Sequence, residues 1–228
     1  MLRLQCIDLG LVEYAQALAW QDELVKQRCQ GQGEDTLLLL EHPPVFTLGR
    51  GGDERHLLNP RHTPVYRVGR GGEVTFHGPG QLVGYPIIDL TPHGRDVHAY
   101  LRGLETVLIA ALAAGGLQAH RKERLTGVWI GEEKIASIGI GVRRWITSHG
   151  FALNVNTDLS YFAAIVPCGL AGVRMTSIAE LCAQPISLAT IKTHIAEAFA
   201  YQFGYKEILW HKNFLTPAPS PQPPAPGL

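Results

Sequence analysis

The sequence predicts an α+β fold, a mixed sheet packed by helices, and three observations carry that prediction. Strand-like runs arrive in groups, not in strict alternation with helices. Two long segments, residues 96–114 and 187–203, repeat apolar side chains at helical spacing. The chain has 228 residues and no internal repeat, a length that suits one domain able to bury its own core without disulfides.

Residues 11–28 read as an amphipathic helix with Leu11, Ala15, Leu18 and Val25 on one face. Residues 37–40 are a short apolar run, broken by His42-Pro43-Pro44 and followed by Val45-Phe46-Thr47-Leu48, which gives two strands or a strand and a turn. Arg50-Gly51-Gly52 is a loop, and residues 65–68, 74–76 and 82–88 are strand candidates. Residues 96–114 form the clearest helix, with Val97, Leu101, Leu104, Leu108 and Leu112 in register and Gly115-Gly116 ending it. Three further strand-like runs follow at 127–130, 134–142 and 145–155, the first two joined by Gly131-Glu132-Glu133 as a hairpin turn. A second strong helix covers 187–203, with Ser187 as N-cap and Gly204 just past its end, and residues 205–210 read as a last strand. The folded domain is predicted over 1–215. After Thr216 half of the residues are proline, so 216–228 reads as a disordered tail.

Composition narrows the function classes. Lys plus Arg and Asp plus Glu balance at 20 each, which argues against a dedicated nucleic-acid binder. No uninterrupted apolar run reaches membrane-spanning length and the N-terminus lacks a signal-peptide pattern, so no membrane partner is expected. Cys6, Cys29, Cys168 and Cys182 form no C-x-x-C pair, which predicts neither a metal site nor a disulfide framework and fits a reduced, cytoplasmic setting.

Chemistry concentrates in four places. The segment RGGEVTFHGPGQLVGYPIIDL, residues 70–90, sets glycine clusters around a strand core and His77. Glycine lets backbone pass close to a ligand. The segment is neither a phosphate-binding P-loop nor a dinucleotide fingerprint, so no nucleotide cofactor is expected. Cys168, between Pro167 and Gly169, sits on a turn, where it is either a nucleophile or a buried structural thiol. Lys134 opens a strand in which the small residues Ala136, Ser137 and Gly139 let a ligand approach; a lysine there either lowers a thiol pKa, acts as a base, or is simply solvated. His149, before Gly150-Phe151-Ala152, is the second histidine with a suggestive context.

Three blocks, 70–90, 127–159 (GVWIGEEKIASIGIGVRRWITSHGFALNVNTDL) and 165–178 (IVPCGLAGVRMTSI), together resemble the octanoyl-[acyl-carrier-protein]:protein N-octanoyltransferases of lipoate biosynthesis. The resemblance implies the catalytic fold of biotin protein ligases and lipoate–protein ligases, with a second small sheet. It implies transfer of an octanoyl group from octanoyl-acyl carrier protein to a lysine of lipoyl domains, those of 2-oxoacid dehydrogenase complexes and the glycine cleavage H protein, through an acyl-cysteine thioester. It makes Cys168 the nucleophile and Lys134 its partner. It lines the acyl pocket with Arg70, Gly71, Gly72, Glu73, Val74, Thr75, Phe76 and His77, with Ser137, Ile138 and Gly139, and with Gly150, Phe151 and Ala152. No metal and no cofactor are implied. The acidic donor would dock on a local basic patch drawn from Arg121, Lys122, Arg124, Arg143 and Arg144. The rival readings are an ATP-dependent lipoate–protein ligase and a non-catalytic acyl-binding protein.

Overall fold

A computed structural model of the chain describes residues 2–169 and 172–212, except for the Cys168 side chain; the predicted tail lies outside the described residues. The α+β class holds. A seven-stranded mixed sheet carries helices on both faces, and a three-stranded sheet sits beside it.

The chain opens with β1 (Arg3–Leu11), which sequence reading had not singled out, and enters α1 (Tyr14–Cys29) three residues later than periodicity predicted. β1 alternates around Leu4, Cys6, Ile7 and Leu9, and Leu11 ends as an exposed residue. The buried face of α1 is Tyr14, Ala17, Gln21 and Val25, so the face predicted from Leu11, Ala15 and Leu18 is rotated. β2 (Thr36–Glu41) is apolar throughout because both its faces are covered: Leu37 and Leu39 join one core, Leu38 and Leu40 the other. β3 (Val45–Leu48), β4 (Val65–Arg67) and β5 (Val74–His77) make the small sheet, β3 pairing parallel with β4 and antiparallel with β5.

β6 (Gln81–Ile87) returns to the large sheet, antiparallel to β2. α2 (Val97–Ala114) follows, capped by Asp96, whose side chain accepts from the backbone N–H of His98 and Ala99. By length and composition α2 is apolar enough to span a bilayer, but it packs its apolar face into the larger core and carries Arg102 and Glu105. β7 (Val128–Ile130), β8 (Glu133–Arg143) and β9 (Ile146–Asn154) form an antiparallel run. A short α3 (Ile178–Cys182), also not foreseen, precedes α4 (Leu188–Phe203) and the closing strand β10 (Glu207–Lys212). Ser187 is the N-cap of α4, yet its side chain makes no capping hydrogen bond.

The large sheet runs in the order β10-β1-β2-β6-β9-β8-β7, and β10 lies parallel to β1, so the described ends of the chain meet at one edge. α2 and α4 cover one face over the core that includes Leu104, Leu108, Ile195 and Phe199. α1 covers the other over Val83, Tyr85 and Ala152. The small sheet builds its own core from Phe46, Leu48, Val74 and Phe76 against the 3-10 helix Leu159–Ala164.

Candidate active site

A cavity of about 210 Å³ opens where the small sheet leans on β8 and β9. The lean is a backbone contact. Gly71 N–H donates to Ile140 O at 2.8 Å. A Cβ on Gly139 would stand 2.8 Å from Gly71 O. Glycine in β8 is therefore required for the loop at 70–72 to seat on the strand.

Lys134 forms part of the cavity wall and is buried. Its ammonium nitrogen lies 5.1 Å from the centre of the Trp129 ring, within cation–π range. Its backbone clips the chain that follows Cys168: Lys134 N–H donates to Arg174 O at 2.9 Å, and Lys134 O accepts from Thr176 N–H at 3.0 Å. The 3-10 turn Pro167–Gly169 is anchored from the other side, because Val166 N–H donates to His56 O and Gly169 N–H to Val166 O. A Cβ on Gly169 would meet Glu73 Cγ at 3.1 Å and His56 Cε1 at 3.3 Å. Glu73 in turn lines the cavity and pairs with His56 at 3.1 Å. The backbone of the Cys168 turn thus abuts a residue of the cavity wall, and the segment after it is bonded to Lys134.

The floor is a neutral aromatic and imidazole cluster. Gln81 donates its amide to Phe76 O and to Asn154 Oδ1, so its own Oε1 accepts from His77 Nδ1 at 2.8 Å. That leaves Nε2 of His77 as an acceptor. His42 donates from Nδ1 to Val12 O and accepts from the Tyr85 hydroxyl at 2.8 Å. Burial, helped by the neighbouring His42, pulls the His77 pKa down to about 3. Burial brings His42 to about 4, and burial with the Arg70 and Arg50 charges does the same for His149. Burial pushes the Tyr14 and Tyr85 hydroxyls above their ordinary value. Near neutral pH the floor therefore carries no charge of its own. Two non-glycine residues of the wall, His149 (φ +54°) and Arg124 (φ +62°), sit in the left-handed backbone region, a strain that concentrates at ligand sites.

Comparison with known proteins places this arrangement. The model of the lipoyl protein ligase A/B catalytic domain matches residues 13–200. The chain belongs to that family. Among its relatives, a protein named octanoyltransferase from Syntrophotalea carbinolica is 51% identical over 192 residues, covering 84% of this chain and 90% of its own. A second of that name, from Gloeobacter violaceus, is 52% identical, covering 87% and 89%. The fold superposes on a lipoate-protein ligase A bound with ATP (TM-score 0.76, 16% identity, 94% of this chain and 89% of that one). It also superposes on the biotin protein ligase of Aquifex aeolicus (TM-score 0.53, 12% identity, 88% and 69%). At such identities these two likenesses show the fold.

Within this ligase A/B domain most of the residues named from sequence converge on the cavity. Arg70, Gly72, Glu73, Val74, Thr75 and His77 line it from the small sheet, and Lys134, Ser137, Ile138, Gly139, Gly150, Phe151 and Ala152 from the large one. Two do not. Phe76 points away from the cavity into the small-sheet core, stacked on Tyr161 at 4.4 Å, because alternation along β5 sends Thr75 and His77 to the opposite face. Gly71 contributes its backbone to the β8 contact and is not part of the wall. The Cys168 side chain lies outside the described residues. Sequence reading missed Tyr14, Tyr85, Leu125 and Thr126, all of which line the cavity, and assigned Arg124, which lines it too, to a docking patch. Only the charged cluster immediately before Gly127 offered a signal for the last group. Of the suggested docking patch, Arg121 is paired with Glu105 and Lys122 with Glu132, while Arg124 lies at the cavity.

Proposed function

We infer that this protein is an octanoyltransferase of protein lipoylation, an acyltransferase whose catalytic domain spans 1–215. The observation that carries the reading is the roughly 50% identity, over most of the chain, to relatives of that name. The cavity supports it: a neutral floor and the apolar walls from Ile138 and Phe151 suit a hydrocarbon chain. The donor is octanoyl-acyl carrier protein and the acceptor a lysine of a lipoyl domain. Free thiols at Cys6, Cys29 and Cys182 fit a reducing, cytoplasmic setting.

Mechanism follows from the residues. The Cys168 thiolate attacks the carbonyl carbon of the donor thioester. The tetrahedral intermediate expels the pantetheine thiolate, which takes up a proton, and leaves octanoyl-Cys168. The neutral amine of the acceptor lysine then attacks that thioester, loses a proton, and expels the Cys168 thiolate as the amide forms. A thioester replaces a thioester in the first half, so little free energy changes. The second half forms an amide and runs downhill without nucleotide hydrolysis. The Lys134 ammonium stabilises the thiolate by charge and relays the proton between the two halves.

The test is transfer from octanoyl carrier protein to an apo lipoyl domain, with and without ATP. Transfer without ATP, together with an octanoyl adduct mapped to the peptide holding Cys168, is the expected result. Strict ATP dependence selects the ligase reading instead, and an adduct of equal yield in Cys168→Ala overturns the covalent route.

A further inference from the structure

α2 presents one carboxylate to the wrong side. Glu105 lies on the apolar face between Leu104 and Leu108 and is fully buried. A buried carboxylate is costly unless its oxygens are fully engaged. Here both are. Oε2 accepts from Arg102 Nη1 at 2.7 Å and from Arg121 Nε at 2.9 Å. Oε1 accepts from the backbone N–H of Gly127 at 3.1 Å. Arg121 is further fixed to α2 by bonds to Arg102 O and the Thr106 hydroxyl.

These contacts grip both ends of one loop. His120 and Trp129 exchange backbone hydrogen bonds at 2.8 and 2.9 Å, closing the loop 121–128. Inside that neck Glu105 holds Arg121 on one arm and Gly127 on the other. The residues between them, Arg124, Leu125 and Thr126, are part of the cavity wall. Gly127 is also the seat of Lys134. Its φ is +136°, and a Cβ there would lie 2.7 Å from Lys134 Cε and 3.2 Å from Lys134 Nζ. The backbone that Glu105 grips is thus the surface against which the end of the lysine side chain rests.

We propose that Glu105 is a positioning residue for this site: through Gly127 it sets where the Lys134 ammonium sits, and through Arg121 it holds residues 124–126 as the cavity rim. The proposal rests on the acyl-transfer reading for the role of Lys134. A carboxylate suits the task better than an apolar side chain, which would pack α2 equally well but leave the Gly127 N–H without its acceptor.

The test uses Glu105→Gln and Glu105→Ala in the full chain. The amide of Glu105→Gln keeps an acceptor for Gly127 but loses the charge that holds Arg121; Glu105→Ala loses both. Two readouts are taken at a temperature where each variant is folded. One is the single-turnover rate of Cys168 acylation by octanoyl carrier protein. The other is the pH midpoint of Cys168 alkylation by iodoacetamide, followed by peptide mapping, which needs no acyl donor. Acylation is expected to fall roughly tenfold in Glu105→Gln and about 100-fold in Glu105→Ala, the scale of misplacing a reacting group by about 1 Å. The alkylation midpoint is expected to rise in the same order, as the thiolate loses its neighbouring cation. Should Glu105→Ala not fold, Glu105→Gln carries the test. Folded variants whose acylation rate stays within about twofold of wild type, or whose alkylation midpoint does not move, overturn the proposal. Wild-type chain that alkylates normally but never acylates would mark failure of the acyl-transfer reading, and the alkylation midpoints would still decide the role of Glu105.

Discussion

Lowering the pH from 7 to 5 should destabilise this protein through the three histidines of the cavity floor. Each is buried and held neutral, with His77 pulled down to about 3 and His42 and His149 to about 4. In the unfolded chain a histidine titrates near 6.5. Between those values the unfolded state binds more protons than the folded one, so stability rises with pH and falls as acid is added. The loss begins as pH drops through about 6.5 and runs on until the folded rings protonate. Each fully mismatched histidine costs about 1.4 kcal/mol per pH unit, which is about 2 kcal/mol between pH 7 and 5. Three together come to about 6 kcal/mol, comparable with the whole stability of a marginal domain. The assay is urea unfolding at half-unit steps of pH, with imidazole NMR signals followed in parallel. The expected result is a midpoint that falls steadily below pH 6.5 while three ring signals keep neutral shifts at pH 5. A urea midpoint flat from pH 7 to 5, or floor histidines that titrate near 6.5 in the native state, would refute the reasoning.

Two other perturbations follow from the geometry. Asp96→Ala removes a side chain that accepts two backbone N–H groups at the start of α2, and should cost about 1 kcal/mol in urea unfolding. Ser187→Ala, at a cap position whose hydroxyl makes no such bond, should leave the midpoint within a few tenths of a kcal/mol. Gly139→Ala places a Cβ 2.8 Å from Gly71 O and 3.2 Å from Arg70 Cδ, so the loop at 70–72 must lift from β8. It should lose roughly 1–3 kcal/mol of stability, and octanoyl-enzyme formation should slow with it. Unchanged stability in that variant would mean the loop does not depend on the close backbone approach.

The sequence determined what local chemistry and periodicity determine. Leucines at helical spacing gave α2, and the apolar run at 37–40 gave a strand, because each signal is complete within a short stretch of chain. His77, Lys134 and the small residues Ser137 and Gly139 stood out because of their residue types and surroundings, and the cavity gathers them with Gly72. Tertiary structure decided the rest. β1 escaped notice because it is secured by parallel pairing with two strands outside its own stretch of chain, β2 and, some two hundred residues away, β10. Phe76 went to the wrong side of the ledger because only the docking of the two sheets tells which face of β5 meets the cavity. Tyr14 and Glu105 lie inside helices whose sequences give no hint of a site; each matters only through what a distant segment brings against it. Residue type and spacing marked candidate positions, the family resemblance of three sequence blocks implied the chemistry, and long-range contact chose which atoms it can use.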